Sequence, residues 1–113
     1  MNEEIIQLKE FNFLGKSGKF SGHFSFAGIT RLSAECEGEF YMQTPDALII
    51  EPEGQIHGKI NCNDLEIYGH FSGEVMAKGK VIIYPSAVVE GRIWAHDLCI
   101  YPGSVVTIEG HTL

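Results

Sequence analysis

The sequence predicts an all-β solenoid, a β-helix in which short strands wind into about five to six stacked coils. One observation is the alternation of apolar and polar residues with the period of a strand. The other is a longer repeat marked by glycines at positions 22, 38, 58, 73 and 91, which are 16, 20, 15 and 18 residues apart. Each glycine precedes a run whose second and fourth residues are apolar or small, so the runs can be placed in one register.

In this register the apolar residues form columns that no charged residue enters. The residues two and four positions after the glycines form the columns Phe24, Phe40, Ile60, Val75, Ile93 and Phe26, Met42, Cys62, Ala77, Ala95. A second strand in each coil supplies the columns Leu32, Ile50, Ile67, Ile83, Ile100 and Thr30, Leu48, Leu65, Val81, Leu98. Because neighbouring strands lie about 4.8 Å apart, we expect these columns to form one continuous core.

The outward residues form columns of their own. The residue directly after each glycine belongs to a column that we call the charge ladder, His23, Glu39, Lys59, Glu74 and Arg92. Opposite charges on adjacent strands contribute about 0.2–1 kcal/mol per pair, so we expect the ladder to help set the register. The next outward column is Tyr41, Asn61, Met76 and Trp94. Trp94 should lie on the surface beside Met76, either as a packed surface pair or, together with Tyr41, as a lateral contact with another molecule.

The corners of the coils differ in length. The segments 51–57 and 84–90 are longer than their counterparts, and we expect Ile56 and Val89 to fill the added interior there. Asp64 and Asp97 precede second strands, where a short polar side chain can bond the backbone of a tight bend. An insertion at residues 44–47 lengthens one further corner.

Composition limits the possible functions. The 113 residues suffice for one domain, and a net charge of −7 argues against nucleic-acid binding. Three cysteines without a CxxC motif indicate reduced thiols in a cytosol. From their positions in the strand alternation, the side chains of Cys36 and Cys62 should point inward and that of Cys99 outward. No apolar run is long enough to span a membrane, and the N-terminus lacks the pattern of a signal peptide.

Enzymatic function is disfavoured, and we predict no catalytic residue, no metal site and no cofactor. The histidines at positions 23, 57, 70, 96 and 111 do not stack in this register, so they do not converge as metal ligands. The uneven coil lengths do not fit the hexapeptide rhythm of left-handed β-helical acyltransferases. The GKSG sequence at 15–18 lacks the spacing of a phosphate loop.

Five sequence segments, taken together and in order, point to a family. They are FAGITRLSAECEGEF, ALIIEPEGQIHGKI, LEIYGHFSGEV, VIIYPSAVVEG and LCIYPGSVVTIEG. Over about residues 14–110 the chain closely resembles the bactofilins, which are bacterial polymer-forming cytoskeletal proteins. Arg31 before Leu32 and the step Glu37-Gly38-Glu39 match the early signature of the family. The chain departs from it in Tyr101-Pro102-Gly103-Ser104 and in ending at His111-Thr112-Leu113, where members carry longer proline-rich tails.

The resemblance implies a right-handed, triangular β-helix that assembles into cytoplasmic filaments without nucleotide. It further implies contact with the inner face of the cytoplasmic membrane through an N-terminal segment, and a role in cell shape or in placing cell-wall enzymes. We therefore expect a flexible N-terminal tail at 1–13, a β-helix domain at 14–110 and a short C-terminal end at 111–113. The tail is either frayed or contacts a membrane surface or a partner through Ile5, Ile6, Leu8 and Phe11. Three glutamates against one lysine weaken its attraction to anionic lipid.

The two ends of the predicted solenoid are the candidate sites. An open end is a strand with unpaired backbone groups, which templates another chain unless it is capped. The end residues available for contact are Phe20, Phe24 and Phe26 in the first coil and Val105, Val106 and Ile108 in the last. We expect the chain to bind itself end to end, with like ends meeting if the resemblance holds and head meeting tail as the alternative. The alternative function is a largely monomeric β-helical module that binds a partner protein.

Overall fold

A computed structural model describes residues 11–113, in which parallel strands wind into a β-solenoid of about six turns, as predicted. This part of the chain contains no helix. The strands are β1 (Phe11–Leu14), β2 (Lys19–Phe26), β3 (Ile29–Leu32), β4 (Glu35–Met42), β5 (Ala47–Ile50), β6 (Gln55–Cys62), β7 (Asp64–Ile67), β8 (His70–Ile83), β9 (Val88–Ile100) and β10 (Val105–Thr112).

Each turn combines a long segment that bends at a glycine with a short one that follows it. The glycines are in register from Gly22 to Gly91, as the sequence predicts. All five have φ between 125° and 143°, a conformation that side chains disfavour. A Cβ on Gly38, Gly58, Gly73 or Gly91 would also lie 1.8–1.9 Å from the carbonyl oxygen of the preceding glycine in the column. The coils can therefore stack this closely at the corner only because it lacks a side chain.

The predicted core columns are confirmed. Phe40, Ile60, Val75 and Ile93 lie directly above one another, and each is almost fully buried. The columns of the short strands are equally well aligned. Thr30 is a fully buried polar residue in these columns, and its hydroxyl donates a hydrogen bond to the carbonyl oxygen of Gly28 at 3.1 Å.

One inward column escaped the sequence analysis. Ile56 and Val89 do not serve only the longer corners, because they align with Cys36 and Phe71 in a column that runs through every complete coil. These four side chains are buried. The reason is that the strand alternation continues through the glycine corner, so the residue two positions before each glycine also points inward.

Polar side chains tie neighbouring coils together at the corners. The carboxylate of Asp64 accepts a hydrogen bond from the backbone N–H of Lys80 at 2.9 Å, so it bonds the next coil and not its own bend as expected. In the insertion at residues 44–47, the hydroxyl of Thr44 accepts a hydrogen bond from the backbone N–H of Gly28 at 2.8 Å. The insertion therefore closes onto the coil before it.

The strands extend beyond the expected limits of the β-helix domain, 14 and 110. The first strand starts at Phe11 because it pairs in parallel with β3, and the amide of Asn12 donates a hydrogen bond to the carbonyl oxygen of Ala27 at 2.6 Å. At the other end β10 continues to Thr112 on β9. The cysteines lie as predicted, with Cys36 and Cys62 buried and Cys99 exposed.

Candidate assembly surfaces

The N-terminal end surface is formed by β1 and β2. Within residues 11–113, β1 pairs only with β3 and β2 only with β4, so both strands leave one edge open. Phe20 is exposed, whereas Phe24 and Phe26 are half-buried. The ring of Phe24 stacks on Phe40 with the ring centroids 4.8 Å apart. The first core layer is thus aromatic and only partly covered.

The C-terminal end surface is formed by β10 and the last residues of β9. Because β10 pairs with residues 88–95 of β9, the stretch 97–100 has no strand above it within residues 11–113. Leu98 and Ile100 end two core columns there and are 38% and 45% exposed. Their counterparts one coil earlier, Val81 and Ile83, are fully buried. The apolar core therefore reaches solvent at this end.

The residues predicted for this surface occupy it in two different ways. Val106 and Ile108 are half-buried and pack against the core. Val105 is exposed, and its register partner Val88 lies between two buried residues, so Val105 points outward from the side of the coil and not into the core. Leu98 and Ile100 were missing from the predicted interface. The signal was present, since they are the last members of columns that were assigned to the core.

The charge ladder borders the glycine corners from one end to the other. His23 and Glu39 approach to 3.2 Å, and Arg92 meets Glu109 at 3.4 Å. Glu109 therefore extends the ladder into β10. These pairs are well exposed, so each contributes at most about 1 kcal/mol.

The predicted lateral residues share one face of the solenoid. Met76 and Trp94 are register partners, and both Tyr41 and Met76 are exposed. Trp94 is half-buried because the ring of His111 stacks on it, with the centroids 5.2 Å apart. Tyr41 and Met76 line a cavity of about 490 Å³, which we call the lateral groove. The lateral face thus offers a depression of mixed apolar and polar lining next to a stacked aromatic pair.

The two buried thiols have the chemistry of structural side chains. Burial, followed by the charge of Asp64, raises the pKa of the Cys62 thiol to about 12, and burial together with Glu35 raises the pKa of Cys36 to about 11. Both therefore stay protonated and unreactive at neutral pH. Within the described range no three His, Cys, Asp or Glu side chains gather as they would around a metal ion.

Two further findings concern the membrane hypothesis. Ile5, Ile6 and Leu8 lie outside the described residues, and Phe11 is described only by its backbone. Across residues 11–113, no helix is present that could cross a membrane.

One of the three comparisons with known proteins gave a match. A family model described as "Bactofilin: Polymer-forming cytoskeletal" matches residues 12–112. Neither the curated proteins nor the solved structures gave a match. The matched range runs from β1 to the end of β10, so it includes both end surfaces.

Proposed function

Because the chain belongs to the bactofilin family of polymer-forming cytoskeletal proteins, we propose that it assembles end to end, without nucleotide, into cytoplasmic filaments. The observation that carries this proposal is the continuation of the core columns to both ends, where they finish in exposed apolar side chains. A filament would serve as a scaffold for cell shape or for placing cell-wall enzymes. Its role is structural and not catalytic.

Backbone hydrogen bonding supports the contact. Each end surface carries a strand with one open edge, and such an edge binds another strand by extending the sheet. In the described part of the chain, β2 and β10 contain no proline, which lacks the backbone N–H that pairing requires. A second copy can therefore continue the solenoid with the same strand spacing.

Apolar burial supplies the driving force. Stacking a coil on the C-terminal end surface would remove Leu98 and Ile100 from water, and stacking one on the N-terminal end surface would cover Phe20 and Phe24. Full burial of an aliphatic or aromatic side chain contributes about 1.5–3 kcal/mol. A few such side chains on each end offset part of the cost of association.

The test compares two substitutions of equally exposed side chains. Ile100→Glu puts a charge on the C-terminal end surface, whereas Met76→Glu puts the same charge on the lateral face, where Met76 is 46% exposed. Both variants should keep the circular dichroism spectrum of the wild type, because neither side chain belongs to the buried core. Negative-stain electron microscopy without nucleotide should show filaments for wild type and Met76→Glu and none for Ile100→Glu.

The N-terminal end surface provides an independent test. Phe20→Glu should also give folded monomers, since Phe20 is exposed on β2. Filaments in both Phe20→Glu and Ile100→Glu would contradict end-to-end assembly. A wild-type chain that stays monomeric at high concentration in sedimentation velocity would instead favour the partner-binding module, with Tyr41, Met76 and Trp94 as the binding face.

A further inference from the structure

The lateral groove lies on the side of the solenoid and takes no part in the proposed end-to-end assembly. Its walls include the exposed side chains of Tyr41, Met76 and Leu113, with Pro45 at one edge. Lys78 is the one charged residue among the described residues that line it. The lining also includes four uncharged polar residues, Gln43, Thr44, Asn61 and Asn63. The groove therefore combines apolar surface with amide and hydroxyl groups and a single positive charge, which suits a short segment carrying aliphatic and acidic side chains.

The chain enters the fold at the corner where the groove lies. Asn12, Thr30, Leu48 and Leu65 are in register, so the short strands β1, β3, β5 and β7 begin at the same corner. The groove residues Pro45 and Asn63 precede β5 and β7 by one or two positions. Residues 1–10 are therefore joined to the first coil at the same corner along which the groove runs.

The length of this segment is sufficient. The groove begins at β4 and β5, two coils beyond β1, which is a rise of about 10 Å at the spacing of neighbouring strands. Ten extended residues span up to about 33 Å. The segment can thus cover the groove from Pro45 towards Met76 without any rearrangement of the described strands.

Its composition complements the groove. The segment contains Ile5, Ile6 and Leu8, together with the glutamates at positions 3, 4 and 10 and a single lysine. The glutamates oppose binding to anionic lipid, whereas Lys78 attracts them. We propose that residues 1–10 dock in the lateral groove of their own chain, with the aliphatic residues on Tyr41 and Met76 and the acidic residues near Lys78.

Disulfide trapping in the full-length chain tests this proposal. In a Cys99→Ser background, Leu8→Cys is combined with Tyr41→Cys or, in a second variant, with Met76→Cys. The control is Leu8→Cys with Glu37→Cys, which lies in the same strand as Tyr41 but on the other side of the glycine corner. Non-reducing gels should show rapid intramolecular cross-links for both groove pairs and slow ones for the control. Equal rates in all three variants would overturn the proposal.

The trapping experiment also separates the other possible occupants. Cross-linked dimers in place of monomers would assign the groove to the segment of a second copy. Loss of the cross-link on addition of phosphatidylglycerol–phosphatidylcholine vesicles, with the segment bound to them, would assign it to lipid. Either result would overturn docking within one chain.

A charge exchange tests the ionic part of the proposal. Lys78→Glu should slow cross-linking roughly two- to fivefold, the size of an exposed ion pair. Adding Glu3→Lys and Glu4→Lys to that variant should restore the rate, and Lys16→Glu, in the turn before β2, should leave it unchanged. An unchanged rate in Lys78→Glu would overturn the assignment of Lys78. Lys78→Glu, Glu3→Lys and Glu4→Lys lie outside the strands that form the end surfaces, so filament formation by these variants reports on the other proposal separately.

Discussion

The middle coils and the end coils carry the same sequence pattern but lie in different environments. Ile83 and Ile100 are neighbours in one column, yet Ile83 is fully buried and Ile100 is 45% exposed. The same holds for the glycine corners, since a Cβ on Gly58 would strike the coil below and one on Gly22 would meet open space. The difference is the presence of a neighbouring coil. In a solenoid, therefore, burial depends on what is stacked on each layer, and within residues 11–113 the end layers keep apolar side chains exposed because no further coil covers them.

The largest expected effect comes from the glycine corners. Gly58→Ala should lower the free energy of unfolding by about 3–5 kcal/mol, because backbone strain and a collision with the carbonyl oxygen of Gly38 act together. Gly22→Ala should cost about 1–3 kcal/mol, since it shares the positive φ but has no collision. Urea denaturation of the dilute, unassembled chain measures both. Equal losses would contradict the close stacking of the corners.

The next effect concerns one aliphatic column. Ile83→Ala should destabilise the monomer by about 2–5 kcal/mol, as buried truncations do. Ile100→Ala should cost about 1 kcal/mol or less, because half of the side chain is already in water. For assembly the order of the two effects is reversed, and Ile100→Ala should be the variant that raises the critical concentration for filament formation. Similar monomer stabilities for the two variants would show that the end coil is covered from within the chain.

The buried thiols predict a pH dependence of intermediate size. The pKa of Cys62 rises from 9.0 to about 12 on folding, so the thiol keeps its proton in the folded chain while the unfolded chain loses it. Stability is therefore complete below pH 9 and falls as the pH rises towards 12, with a loss on the order of 2 kcal/mol by pH 10.5.

The variant Cys62→Ala isolates this effect, since alanine occupies the same column at Ala77 and Ala95. Urea titrations at pH 8 and pH 10.5 should show a smaller loss for Cys62→Ala than for the wild type. Identical losses would place the Cys62 thiol in contact with water.

The smallest effect belongs to the charge ladder. Lys59→Glu puts a third carboxylate between Glu39 and Glu74, its register partners on either side. We expect a loss of about 0.2–1 kcal/mol at low salt, which 1 M sodium chloride should remove by screening. A loss that is unchanged by salt would mean that Lys59 acts through packing and not through its charge.

Sequence alone sufficed for the fold and for much of the core. The glycine spacing placed Phe40, Ile60, Val75 and Ile93 in one column, and the structure has that column. This prediction succeeded because strand alternation and corner geometry are both local. The number of residues between a side chain and its glycine therefore decides whether the side chain points into the core or towards solvent. The same reasoning missed the column of Ile56 and Val89, because the alternation was counted only from each glycine onwards.

The end surfaces could be predicted only in part. Phe20 and Phe24 follow directly from their place in the first coil. Leu98 and Ile100 do not, because their exposure depends on where β10 stops covering β9, and no local pattern marks that point. The lateral groove is likewise formed by residues from several coils. Only the stacked geometry brings Tyr41, Met76 and Leu113 to one depression.

Cryo-electron microscopy of the filaments tests end-to-end assembly most directly. The account predicts that the layer spacing of about 4.8 Å continues without a gap across each subunit junction, with Leu98 and Ile100 buried there. About six turns per subunit give a rise of roughly 30 Å per subunit, and the axial repeat is twice that length if like ends meet. Filaments built through the lateral faces, with both end surfaces left in solvent, would contradict it.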